Sequence, residues 1–185
     1  MKKVISAVGI AAASLFAINA QAADGTITFT GSITDTTCSI NGVAAGTPAD
    51  VTVTLPAVPA SSLANAGDTA GVSGPSDIVF SLSGCTGGAT KAIARFENGP
   101  TVDQSSGNLV NQASTGGASN VQVQLLNSNF QPINITTNSN NDIATLGAAI
   151  TAGNADLTYY GQYFSTGAAT AGAVDTSVQY TMDYQ

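Results

Sequence analysis

The sequence predicts an all-β protein, a sandwich or a barrel, and three observations lead to this prediction. Short runs rich in Val, Ile, Thr, Tyr and Phe recur along the chain, whereas helical periodicity is hard to find. Gly, Asn, Ser and Pro separate these runs. Runs in which apolar and polar residues alternate occupy both ends of residues 23–185. Short strands joined by polar turns are typical of sandwiches and barrels.

Residues 1–22 have the layout of a secretory signal peptide. Two lysines precede an apolar stretch that ends near Ile18, and Ala20, Gln21 and Ala22 give the small-x-small pattern that a signal peptidase accepts. A membrane anchor is the alternative, but the stretch is short and Ala-rich compared with the roughly 20 apolar residues of a spanning helix. We therefore expect export and cleavage after Ala22.

The exported chain is acidic and sparsely charged. Residues 23–185 form a chain of 163 residues, a length that suits one domain. Their basic residues are Lys91 and Arg95, against eleven acids, so the net charge is −9. Two basic side chains cannot neutralise a phosphate backbone, so binding to nucleic acid or to anionic lipid is excluded as a function.

The two cysteines predict a disulfide. Cys38 and Cys85 form an even pair in a chain expected to enter an oxidising compartment. A redox or metal-binding pair would need close spacing or histidine partners, and the chain has no histidine.

Local sequence patterns predict the strands and loops that lie between the two ends of the chain. Residues 57–76 are rich in Gly, Ala and Pro and predict a long connection with a helical turn near residues 61–66. Residues 99–120 and 138–154 predict loops. The predicted strands are residues 51–55, 78–82, 91–96, 121–125 and 157–164.

The C-terminal run alternates over residues 174–185, up to the last residue of the sequence. A strand with this pattern buries one face, so we expect it to be integrated into a sheet. The face that carries the apolar residues consists of Val174, Thr176, Val178, Tyr180, Met182 and Tyr184.

The leading segment has an alternation of its own. Ile27, Phe29, Gly31 and Ile33 alternate with Thr and Ser, but after Asp35 the apolar residues shift to even numbers. A continuous strand would turn its buried face to solvent at such a shift. Residues 23–35 are therefore either an extension distinct from a domain of residues 36–185 or an ordinary first strand with a kink.

No catalytic or cofactor motif is present, so we predict that the protein is not an enzyme and needs no cofactor. Without histidine, a Ser-His-Asp triad, a Cys-His pair and a His-based zinc site are all impossible. No phosphate-binding glycine motif occurs. Glu97 is the one glutamate, and the aspartates lie in turn-like sequence. Residues 138–142 lack the ligand spacing of a calcium loop.

Together these features resemble the chaperone–usher family of fimbrial subunits, in particular the type 1 fimbrial major-subunit group. Among the matching features are a glycine fourteenth from the end, Gly172, and a penultimate tyrosine, Tyr184. The segments that carry the resemblance are residues 27–33, Cys38, residues 51–55, residues 78–85 with Cys85, residues 159–163, Gly172 and residues 178–184.

The resemblance implies an incomplete immunoglobulin-like β-sandwich that a donor strand from another subunit completes. Ile27, Phe29 and Ile33 would be the donor side chains, and Gly31 would fit where the acceptor groove is shallow. Gly172, Val178, Tyr180, Met182 and Tyr184 would belong to the C-terminal strand that borders the groove and pairs with a periplasmic chaperone.

The implied function is structural. The resemblance indicates a pilin that forms the shaft of a pilus, or fimbria, through the chaperone–usher pathway and so supports cell adhesion and biofilm formation. Its implied partners are other copies, a periplasmic chaperone, an outer-membrane usher, and tip adhesin or adaptor subunits. Two alternatives stay open: a minor or adaptor subunit, and a secreted binding module that completes its own sandwich.

Overall fold

Two antiparallel sheets form the protein in the computed structural model, which describes Thr28, Ile33 and residues 35–185. Within this part of the chain the strands are β1 (Thr37–Ile40), β2 (Thr69–Ala70), β3 (Ile78–Thr86), β4 (Lys91–Phe96), β5 (Leu109–Val110), β6 (Val121–Leu126), β7 (Ala148–Ala149), β8 (Ala155–Ser165) and β9 (Tyr180–Tyr184). The larger sheet has the order β1-β3-β8-β6-β5, with β2 also paired to β8, and the smaller has the order β7-β4-β9. A 3₁₀ turn (Ala60–Leu63) and a one-turn helix, α1 (Ile143–Leu146), complete the elements.

The all-β prediction is confirmed. Four of the five predicted interior strands are observed as β3, β4, β6 and β8, and the predicted helical turn lies close to the 3₁₀ turn. Residues 51–55 differ, because they alternate between half-buried and exposed side chains but pair with no strand in the described chain. None of the helices in the described residues has the length and hydrophobicity needed to cross a bilayer.

Aromatic side chains join the two sheets in the core. The ring of Phe80 on β3 lies 4.5 Å from that of Tyr180 on β9, and the ring of Tyr159 on β8 lies 5.1 Å from that of Phe96 on β4. The Ala94 backbone N–H donates a hydrogen bond of 3.1 Å to the Tyr159 hydroxyl. Burial raises the pKa of Tyr159 to about 12, so this hydroxyl stays protonated at neutral pH.

The disulfide ties the first strand to the end of β3. Cys38 and Cys85 are bonded, as the sequence predicts, with their Cα atoms 4.1 Å apart. Cys38 is buried. The bond therefore fixes β1 at the edge of the larger sheet, next to the start of the described domain.

A chain of buried amides lies across β6 and β8. Gln162 donates to Gln124, Gln124 donates to Asn108, and Asn108 donates to Gln122, at 2.9, 3.3 and 3.2 Å. Gln122 in turn donates to the Asp103 carboxylate at 2.9 Å. Each amide finds a partner, which offsets the cost of burying it.

Hydrogen bonds stabilise the ionised form of Asp103. The Ser105 hydroxyl donates to Oδ1 at 2.5 Å, and the backbone N–H groups of Ser105 and Ser106 donate to the same oxygen. The bonds from Ser105 are the largest cause that lowers the pKa of Asp103 from 3.8 to about 2.

We expect the double substitution Cys38→Ser/Cys85→Ser to lower the free energy of unfolding by about 4 kcal/mol, because the disulfide closes a long loop in the unfolded chain. Urea unfolding followed by circular dichroism measures this loss. The same loss should appear when the unsubstituted protein is reduced. Equal stability of the oxidised and substituted proteins would contradict the prediction.

We expect Asp103→Asn to lower the melting temperature by about 2–4 °C at pH 6, because an amide accepts these hydrogen bonds less strongly than a carboxylate. A lowered carboxyl pKa contributes stability that is present above pH 4 and is lost as the pH falls towards 2. The difference between the two proteins should therefore shrink over that range in differential scanning calorimetry. A difference that does not change with pH would rule out the carboxylate as its source.

Candidate functional site

The C-terminal run buries the face that its alternation predicts. Val174, Val178, Tyr180, Met182 and Tyr184 are half-buried and pack against the core. Their neighbours at the odd positions of the run are mostly exposed. The paired strand is shorter than the run, because β4 ends at residue 96 and leaves residues 174–178 without a strand beside them.

One edge of this run is open. Gln185 exchanges backbone hydrogen bonds with Lys91, and the Glu97 N–H donates to the Gln179 carbonyl at 2.8 Å, so the odd-numbered residues face β4. Peptide groups alternate in direction along a strand, and those of the even-numbered residues therefore point the other way. β9 ends its sheet on that side, and within the described chain no strand pairs with these groups.

Residues 49–58 border the same opening from the opposite side. Val51, Val53 and Leu55 are half-buried against the core, and in the described part of the chain no backbone–backbone hydrogen bond involves residues 49–58. The Tyr180 hydroxyl donates to the Ala49 carbonyl at 2.6 Å, which links the two borders. We call the opening between residues 49–58 and 174–184 the groove.

A cavity of about 220 Å³ lies at the other end of the groove. Residues from both borders line it, which places residues 55–58 near residues 172–174. Its apolar lining side chains include Leu55, Val58, Leu63, Val121, Tyr163 and Val174. The two borders therefore run in opposite directions, from Ala49 beside Tyr180 to Leu55 beside Val174.

Gly172 is required by a close approach of two backbone segments. A Cβ atom at this position would lie 2.4 Å from the Ala118 nitrogen and 2.6 Å from the Gly117 carbonyl carbon. The next residue, Ala173, forms a bridge with Gly117. Any side chain at position 172 would therefore push the start of the C-terminal run away from this contact.

The predicted site residues separate into two groups. Val178, Tyr180, Met182 and Tyr184 lie on the C-terminal border of the groove, and Gly172 lines the cavity at its end. Ile33 is exposed, whereas Ile27, Phe29 and Gly31 lie outside the described residues. Burial raises the pKa of the Tyr180 and Tyr184 hydroxyls, with the Asp50 carboxylate adding to the effect at Tyr180, so neither carries charge at neutral pH.

Sequence reasoning did not assign a functional role to the second border or the cavity. The alternation of residues 51–55 was the available signal, but it predicts an ordinary strand. The lining residues Leu63, Val121 and Tyr163 come from distant parts of the sequence and carry no local signal. Among the described residues, no three potential metal ligands of the His, Cys, Asp or Glu type lie together.

Comparison with known proteins identifies close relatives. The family model "Type-1 fimbrial protein, A" (FimA) matches residues 55–185. The major fimbrial subunit SMF-1 of Stenotrophomonas maltophilia is 44% identical over 173 residues, which cover 89% of this chain and 95% of the relative. The F17 fimbrial protein of Escherichia coli is 40% identical over an alignment that covers 100% of both chains.

A solved structure of a chaperone–usher pilus has a TM-score of 0.54 at 22% identity and covers 88% of this chain and 96% of that one. This likeness supports the immunoglobulin-like fold of pilus subunits. The family match and the two relatives cover the strands, the groove and the C-terminal run. The chain therefore belongs to the type-1 fimbrial protein family and is a structural subunit of an extracellular pilus.

Proposed function

We propose that the groove accepts the leading segment, residues 23–35, of another copy of this chain, and that this exchange builds the pilus shaft. The observation that carries the proposal is the open backbone edge beside a half-buried apolar face. Such an edge is a template for an added strand, which gains main-chain hydrogen bonds and fills pockets with alternate side chains. The alternation of Ile27, Phe29, Gly31 and Ile33 supplies those side chains.

The cavity favours one direction for the donor strand. All strand pairs of the described domain are antiparallel, and an antiparallel donor places its last apolar side chain nearest the start of the C-terminal run. Ile33 then enters the cavity opposite Val174. In steps of two residues, Gly31 lies opposite Thr176, whose hydroxyl is buried without a hydrogen-bond partner in the described chain. Phe29 and Ile27 follow opposite Val178 and Tyr180.

Burial of the donor side chains would stabilise the contact between two copies of the chain. Three large apolar side chains contribute on the order of 5–8 kcal/mol when they are transferred from water into the groove. Pairing of the open peptide groups adds to this. Each copy carries both a donor segment and a groove, so the contact is head-to-tail and generates an open filament.

An open apolar edge also needs protection before assembly, because exposed strand edges promote aggregation. A periplasmic chaperone that pairs with the even-numbered residues of the C-terminal run would supply this protection, and an outer-membrane usher would pass the subunit to the growing fibre. Residues 1–22 would act as the signal peptide for export to the periplasm. Tip adhesin or adaptor subunits would complete the fibre.

Deletion of residues 23–33 should abolish fibre formation while the subunit still folds, because the donor is lost and the groove is intact. Electron microscopy of surface fibres measures assembly, and immunoblotting of periplasmic extracts measures the folded subunit. Ile33→Asp should reduce assembly at least tenfold, since a charge would be placed against the apolar side chains that line the cavity. Ser32→Asp is the matched control, because residue 32 lies on the other face of the donor. Unimpaired fibres from the deletion would overturn the proposal.

Gly172→Ala should lower fibre yield several-fold and destabilise the subunit by about 1–3 kcal/mol, because the new methyl group overlaps the backbone of residues 117–118. Gly88→Ala is the control, since a Cβ atom at residue 88 has no atom within 4 Å. Fibre yield and thermal unfolding are measured for both variants. Equal behaviour of the two would show that the close approach at Gly172 does not matter.

A further inference from the structure

The start of the C-terminal run is supported by a loop instead of a strand. Beyond residue 96 the smaller sheet offers no neighbour to residues 173–178, and loop 111–118 takes its place beside residues 173 and 175. The Gln112 N–H donates to the Asp175 carbonyl at 2.7 Å, and Ala173 exchanges hydrogen bonds with Gly116 and Ala118 at 2.8 Å each.

One side chain completes this support. Asn111 Nδ2 donates to the carbonyl oxygens of Ala173 and Ala118, both at 2.9 Å. Asn111 Oδ1 accepts from the N–H groups of Asp175 at 2.9 Å and Ala113 at 3.1 Å. An asparagine amide has two N–H donors and two acceptor lone pairs, so these four bonds use all of them.

The Asn111 amide therefore takes the place of the backbone N–H and C=O groups that one residue of a neighbouring strand would present. It offers an acceptor to residue 175 and a donor to residue 173, which are the groups that a paired strand would offer. Residue 174 lies between these two anchors, with its backbone towards the open edge and its side chain in the cavity. The position of the Val174 backbone thus depends on Asn111.

We propose that Asn111 is a positioning residue for strand addition: it holds the cavity end of the groove in the geometry that pairs with residue 33 of the incoming copy. This inference rests on the proposed function, because it assigns a residue to the same groove. Preorganised backbone edges bind faster and more tightly than mobile ones, since less freedom is lost on pairing. Asn111 touches no donor residue and acts through residues 173 and 175.

The test uses a fluorescent synthetic peptide of residues 23–35 and the exported chain, residues 23–185. Uptake of the peptide is followed by fluorescence anisotropy. Asn111→Ala should slow uptake about tenfold, because the two bonds to the C-terminal run are lost. Asn111→Asp should also slow it, since a carboxylate would face the carbonyls of residues 173 and 118. Asn98→Ala, which removes an exposed amide whose hydrogen bonds go to Gln104 and not to the C-terminal run, should change uptake less than twofold.

A second pair of peptides separates positioning from general stability. Replacing Ile33 by Ala in the peptide should slow uptake by the unsubstituted protein, but much less by the Asn111→Ala protein, because both changes act at the cavity end. Replacing Ile27 by Ala should slow uptake by the same factor in both proteins. If Asn111 only stabilises the fold, each peptide substitution should slow uptake by the same factor in the Asn111→Ala protein as in the unsubstituted protein.

Three results would overturn the inference. Asn111→Ala could take up the peptide as fast as the unsubstituted protein, or the Ile33 effect could be the same in both proteins. If no protein takes up any peptide, strand addition itself fails, and the role of Asn111 fails with it. In the first two cases the proposed donor role of residues 23–35 would stand.

Discussion

The peptide groups along one side of the C-terminal strand have no hydrogen-bond partner in the described chain. Much of the fold serves to hold this unpaired edge in position. A backbone donor or acceptor that is removed from water without a partner costs free energy. β9 places its even-numbered peptide groups at the end of the smaller sheet, beside side chains that already pack on the core. This combination of an open edge and an apolar face explains why a subunit of this kind assembles instead of remaining alone.

The rest of the fold holds that edge in place. On one side, β4 pairs with residues 180–184, and loop 111–118 extends the support to residue 173. Beneath it, Phe80 packs against Tyr180, and Tyr180 reaches across to Ala49. The C-terminal run is thus held along one edge and on its buried face, and its other edge is open to an added strand.

Much of this arrangement could be predicted from the sequence, because periodicity records which face of a strand is buried. The alternation of residues 174–184 predicted the half-buried face that the structure has, whereas the shift of parity after Asp35 left two interpretations of the leading segment, a distinct extension or a kinked first strand. Contacts between distant segments could not be predicted in this way. Nothing near Asn111 in sequence indicates that its amide bonds to residues 173 and 175, and the alternation of residues 51–55 does not reveal that its strand partner is missing.

The buried amide chain from Gln162 to Gln122 has a consequence for a protein that works outside the cell. Surface ion pairs weaken as salt rises, and His or carboxylate networks change as the medium is acidified. Amide-to-amide bonds carry no net charge, so neither dissolved ions nor protons over the ordinary environmental range alter them. This part of the core would therefore contribute the same stability in fresh water, in brine and on mildly acidic surfaces, down to the pH at which Asp103, the carboxylate at the end of the amide chain, becomes protonated.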